Sequence, residues 1–177
     1  MTIPNQILDD PRYPIGRFSA ATAGTRAQQL ETLSQLPTRL REAVSGLSDQ
    51  QLDTPYRDGG WTVRQLVHHI ADSHANAYIR FKLALTEDTP TITAYDEAAW
   101  ARLPDSSLPV DESLNIIQGI HARLAALIQG MADSDFSRAF KHPERGRMEL
   151  GANLALYAWH SLHHTAHITR LREQMGW

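Results

Sequence analysis

The chain has 177 residues, a formal net charge of −3 and no basic run, so it has the length of one domain (residues 1–177) with a core of its own and offers no electrostatic footing for nucleic acid or an anionic membrane surface. It contains no cysteine, which excludes disulfides, thiolate zinc sites and a cysteine nucleophile and leaves histidine and carboxylate as the strong metal ligands. The first residues lack a basic n-region with an uninterrupted apolar h-region, and no stretch approaches the roughly 18 apolar residues of a membrane span, so a cytoplasmic protein is expected.

Residues 1–24 carry Pro4, Pro11, Pro14 and Gly16 and are expected to run extended over the surface. Leu30, Leu33, Leu36, Leu40, Ala43 and Val44 recur at helical spacing and predict a first helix over about 26–44, with Gly46 as its stop and Pro37 as a kink. Pro55 and the Gly59-Gly60 pair make residues 48–60 a connector. Thr62 with Gln65 three residues on fits a capping box, and Val63, Leu66, Val67, Ile70, Ala77, Phe81 and Leu85 then form an apolar stripe to about residue 86. Pro90, Pro104 and Pro109 mark a long irregular connector with a short helical turn near residues 96–102, and a connector of that length is expected to cover a bundle end or an active site. Leu114, Ile117, Ile120, Leu124, Leu127 and Ile128 predict a third long helix from about Glu112 to Gly130, with His121 inside it. Residues 132–147 read as a turn-rich connector with room for a small hairpin. A last helix over about 150–175 places Leu154, Tyr157, His164, Ile168, Leu171 and Met175 on one stripe, with Gly176 after its end. Four amphipathic segments without convincing alternation give an all-α four-helix bundle with long connectors.

Seven of the nine histidines fall in two groups: His68, His69 and His74 after Trp61-Thr62, and His160, His163, His164 and His167 after Trp159. Two imidazoles four residues apart on a helix project from one face close enough to share a divalent ion. His160 with His164 is one such pair and His163 with His167 another, and the apolar stripe favours the first as the inward one. A catalytic site with three protein ligands needs its third from elsewhere, and the upstream group is the natural donor. Periodicity there prefers His74, which lies on the stripe of Val67, Ile70, Ala77 and Phe81, over His69 on its flank. A lone histidine such as His68 or His121 reads as a hydrogen-bonded boundary residue, and His68 points away from both candidate faces.

The run from Trp61 to Asp72, WTVRQLVHHIAD, and the pair His160 and His164 preceded by Tyr157-Ala158-Trp159 resemble the helix motifs of the DinB superfamily. Within it, the stretches TPYRDGGWTVRQLVHHIADSH, IRFKLALTE, YPIG and HITRLREQMGW are similar to the YfiT-type metal-dependent hydrolases over nearly the whole chain. The resemblance implies a four-helix bundle holding one divalent metal ion per chain, zinc or nickel, in a homodimer. Carried over by position, the ligands it implies are His69, His160 and His164, against the periodicity preference for His74. His167 stands where many members of the superfamily carry glutamine.

Three neutral imidazoles leave an ion its full charge and open positions. The hydrolase reading uses a metal-activated water on a small-molecule substrate, with His163, His167, Asp72 or Tyr157 as candidates to shuttle the proton. The alternative is a thiol S-transferase, in which the ion holds a low-molecular-weight thiol for attack on an electrophile. A third reading is a non-catalytic dimeric metal-binding module, against which three protein ligands, rather than the four of closed structural zinc sites, argue.

Overall fold

The computed structural model describes residues 10–177; the part of the expected extended N-terminal segment before Asp10 lies outside them. Four long helices carry the fold: α1 (Arg26–Val44), α3 (Val63–Thr86), α5 (Val110–Gln129) and α6 (Leu150–Met175), with single-turn helices α2 (Asp49–Leu52) and α4 (Glu97–Trp100) in the connectors. Two of their starts are marked by capping residues. Thr25 with Gln28 and Thr62 with Gln65 form capping boxes, so the first free N–H groups of α1 and α3 are satisfied by side chains. α6 ends at Gly176, whose φ of 69° is the left-handed conformation that glycine adopts without strain.

α1 packs on α5 and α6, and α3 packs on the same two helices, so the first two long helices lie diagonally across the bundle. The long connectors before α3 and α5 permit this arrangement. Its consequence is that α3 lies beside α6, and the two histidine groups of the sequence share one helix interface. The core falls into two apolar clusters. One is built on Leu36, Leu40, Leu66, Ile70, Ile117 and Ile168, the other on Leu33, Ala77, Phe81, Leu124, Phe140 and Leu154. His74 and His121 are both buried at the level between them.

α1 continues as one helix through Pro37, the residue at which the sequence suggested a kink. The anticipated hairpin is present as β1 (Ala139–His142) and β2 (Gly146–Glu149), antiparallel, with Phe140 opposite Met148. The proline-rich connector is tied to it. Ile92 N–H donates to the Lys141 carbonyl at 3.0 Å, and Lys141 N–H donates to the Pro90 carbonyl at 2.8 Å.

Candidate metal centre

α3 and α6 run antiparallel, as their side-chain contacts show: Ser73 meets Tyr157, His74 meets His160, and His69 meets His160 and His164. Ligand-capable ring nitrogens of His69, His160 and His164 all lie within 4.8 Å of one another. His69 Nε2 and His160 Nε2 are 3.3 Å apart. Two nitrogens bound to one tetrahedral ion at Zn–N distances of 2.0–2.1 Å would stand about 3.4 Å apart, so this pair is already at chelating separation. The His164 ring closes edge-on against both partners, with centroids 4.9 Å from His69 and 4.4 Å from His160.

Which His160 nitrogen offers its lone pair follows from a chain of contacts reaching back to α1. Pro37 has no N–H, so the carbonyl four residues earlier, that of Leu33, lacks its helical donor. His121 Nδ1 fills that place at 2.6 Å. A carbonyl can only accept, so the proton is on Nδ1, and Nε2 of the neutral ring accepts from His74 Nδ1 at 2.9 Å. His74 Nε2 then accepts from His160 Nδ1 at 3.1 Å. The proton on His160 is thereby held at Nδ1, and Nε2, facing His69, carries the lone pair a metal needs. An outer partner that fixes tautomer and ring orientation is the usual support of a metal-binding histidine.

Protonation favours ligation as well. Burial lowers His69 to about 4, and burial reinforced by neighbouring imidazoles holds His160 and His164 well below the ordinary histidine range. All three are neutral at neutral pH, the form that binds metal. The residues therefore fit a divalent ion: three neutral nitrogen donors, two of them at chelating distance, from two rigid helices.

His163, His164 and His167 make a second group with ring nitrogens equally close. All three lie within five residues of one helix. His163 stacks on Trp159 at 4.2 Å between centroids and His167 packs on Tyr56 at 4.1 Å. His68, by contrast, is a satisfied core residue: its ring nitrogens meet Ser113 Oγ at 2.7 Å and the Leu108 carbonyl at 3.0 Å. His74, the residue that periodicity favoured, is fully buried as expected and touches the centre through the outer nitrogen of His160.

A cavity of about 690 Å³ opens beside the His69, His160 and His164 trio, within the range of small-molecule sites. Trp61, Tyr157 and His163 form its wall near the histidines, Ala94–Ala98 of the proline-rich connector supply the cover the sequence anticipated, and the hairpin adds His142 and Met148. Of the proton-shuttle candidates, Tyr157 and His163 line this cavity. Burial raises the Tyr157 phenol above its ordinary value and lowers His163 to about 3. Asp72 and His167 do not line it. Asp72 lies one turn along α3 from His68, and burial, aided by the nearby Asp105, raises its carboxyl above the ordinary value, while His167 faces a small recess with Pro11, Pro14 and Tyr56. Sequence reading missed Arg80 and Asn153, which also line the cavity. No local motif marks them, since each is a single polar residue on a helix.

A model of the DinB superfamily matches residues 32–168. A Bacillus mycoides (strain KBAB4) protein named "Putative metal-dependent hydrolase" is 50% identical over 175 residues, spanning 96% of this chain and 100% of its own length. A Bacillus cereus (strain 03BB102) protein of the same name is 50% identical over 173 residues, with the same two coverages. Among solved structures, YfiT from Bacillus subtilis, described as a probable metal-dependent hydrolase with an unusual four-helix bundle topology, superposes with a TM-score of 0.90 at 48% identity, over 94% of this chain and 98% of that one. The four-helix bundle protein TT2238, at 19% identity and a TM-score of 0.56 over 86% of this chain and 100% of its own, shares the fold.

Proposed function

Since this chain belongs to the DinB superfamily, we propose that it is a metal-dependent hydrolase of a small-molecule substrate, with His69, His160 and His164 holding one zinc or nickel ion per chain. The observation that carries the reading is the meeting of three neutral imidazoles from α3 and α6 at the wall of a ligand-sized cavity. A divalent ion bound there supplies Lewis acidity, lowering the pKa of a bound water and polarising a substrate carbonyl or phosphoryl oxygen.

The chain's own groups do the rest. The relay from Leu33 through His121 and His74 keeps His160 oriented. Tyr157, 5% exposed and with its hydroxyl 3.4 Å from Ser73 Oγ, stays protonated through the neutral range and can donate a hydrogen bond to a developing oxyanion. His163 is neutral there and can accept one from a substrate or water. Trp61, its ring 4.6 Å from that of His69, screens the trio from bulk water.

We place the enzyme in the cytoplasm, as one domain in a homodimer; among the described residues no helix is long and apolar enough to cross a membrane. The test is a screen of ester, amide and phosphoester substrates on zinc- and nickel-loaded protein, with low-molecular-weight thiols added and omitted. Hydrolysis without thiol that disappears on chelation supports the reading. Turnover only in the presence of a thiol would replace it with thiol transfer, and activity that survives complete metal removal would rule out both.

A further inference from the structure

Two polar side chains in the cavity lack the partners their burial demands. Arg80, on α3, is 9% exposed and makes no hydrogen bond or ion pair among the described residues. Asn153, on α6, is fully buried, and neither its Oδ1 nor its Nδ2 has a hydrogen-bond partner. A guanidinium remains charged at any accessible pH, so Arg80 cannot escape the cost of its site by losing a proton. A buried amide with both ends unmatched forfeits its hydration with no hydrogen bond in return. Native structures leave few such groups, and those that persist call for a reason.

Both residues line the same cavity as the histidine trio. The contacts between α3 and α6 advance along one helix as they retreat along the other, from His69 with His164 to Ser73 with Tyr157. The same progression brings Arg80 level with Asn153. The pair stands seven residues from His160 along α6, about 10 Å at 1.5 Å per residue. Among the charged residues at the cavity wall, Glu97 is near enough to feel the Arg80 charge, but none of them forms an ion pair or hydrogen bond with it. Asp96, Glu97, Glu144 and Arg145 are all exposed, and Asp96 is engaged in accepting from Ala99 N–H at the start of α4. Arg80 is thus the one buried formal charge on that wall.

We propose that Arg80 and Asn153 form the anion subsite of the cavity, taking a substrate monocarboxylate about 10 Å from the group presented to the histidine trio. The guanidinium fork matches a planar carboxylate through two parallel N–H donors, and the Asn153 amide adds a third donor. One buried cation balances one negative charge, which favours a carboxylate over a phosphate dianion. This subsite deepens the hydrolase reading and rests on it for the word substrate, but its ligand binding needs no metal.

The test uses 4-phenylbutyrate, its neutral amide and inorganic phosphate, titrated into the full chain both metal-stripped and zinc-loaded, with fluorescence of Trp61 and Trp159 in the cavity as the readout. The expected result is that metal-stripped protein binds the carboxylate at least tenfold more tightly than the amide. Arg80→Met should abolish that preference, Arg80→Lys should keep part of it, and Asn153→Ala should weaken carboxylate binding by a smaller factor. Equal binding of acid and amide, an unchanged preference in folded Arg80→Met, or carboxylate binding that appears only with zinc would each overturn the subsite. So would phosphate displacing the carboxylate at lower concentration. If Arg80→Met does not fold, the Arg80→Lys and Asn153→Ala titrations decide. A protein that binds the carboxylate yet takes up no metal would sink the hydrolase reading and leave the subsite standing.

Discussion

At the scale of single residues, the histidines divide by what their second nitrogen touches. His68 spends both nitrogens on Ser113 and the Leu108 carbonyl, so His68→Ala should retain metal and lose about 1–3 kcal/mol of stability from buried partners left unmatched. His69→Ala, His160→Ala and His164→Ala should each lose tight zinc binding, read by equilibrium dialysis with elemental analysis, while the fold survives on its two apolar clusters. His74 and His121 are the informative intermediate. They touch the centre only through the His160 Nδ1 proton, and loss of such a partner typically lowers metal affinity 10–100-fold. His121→Ala should fall in that interval and His74→Ala at or beyond its upper end. Full zinc affinity in both variants would show that the relay does not orient His160.

At the scale of elements, much of the site's scaffold was legible in advance. Thr62 and Gln65 announce the start of α3, and helical periodicity carries that start through His69 and on to Phe81. α6 is read in the same way between Leu150 and Gly176. Periodicity preferred His74 as the upstream histidine, and the structure sets His69 beside both His160 and His164 with His74 behind the outer nitrogen of His160. Periodicity measures burial, and His74 is the more deeply buried of the two, but both residues meet α6 and differ in which nitrogen of His160 they reach. Both meet α6 because α1 and α3 lie diagonally, a matter of connector path that one helix pattern does not encode. Pro37 was legible as a helix-interior proline, but the hydrogen-bond acceptor it frees for His121 appears only once α5 lies beside α1. The element-scale prediction concerns that proline. Pro37→Ala gives Leu33 its helical N–H donor back, so α1 should gain stability, up to about 3 kcal/mol by helix propensity. The restored donor competes with His121 for the same carbonyl, so zinc affinity should fall severalfold. A thermal melt and a zinc titration on the same variant check both signs, and a gain in both quantities would contradict the relay.

For the molecule as a whole, a metal-free core containing several neutral histidines makes stability a function of pH. His69 and His121 are each lowered to about 4 and His163 to about 3, in every case chiefly by burial, against an ordinary value of 6.5. In the unfolded chain these rings take up protons as pH falls through about 6.5, while in the folded chain they stay neutral. The unfolded state therefore binds more protons in that window, and stability must rise with pH. The stabilisation is fully present above about 6.5 and is lost as pH falls toward about 4. For His121 alone, a displacement from 6.5 to about 4 corresponds to about 3 kcal/mol. Urea denaturation of metal-stripped protein at several pH values should accordingly show the midpoint falling steeply between pH 6.5 and 4 and nearly flat from 6.5 to 8. On the proposed site zinc would bind only the folded, neutral trio, so saturating zinc at pH 7 should raise stability by about 2.7 kcal/mol at a hundredfold excess over Kd, and the midpoint with it. That increment should shrink as acid competes for the same nitrogens. A zinc increment independent of pH would mean that the ion sits on carboxylates, which are already ionised across this range, and not on the histidines of α3 and α6.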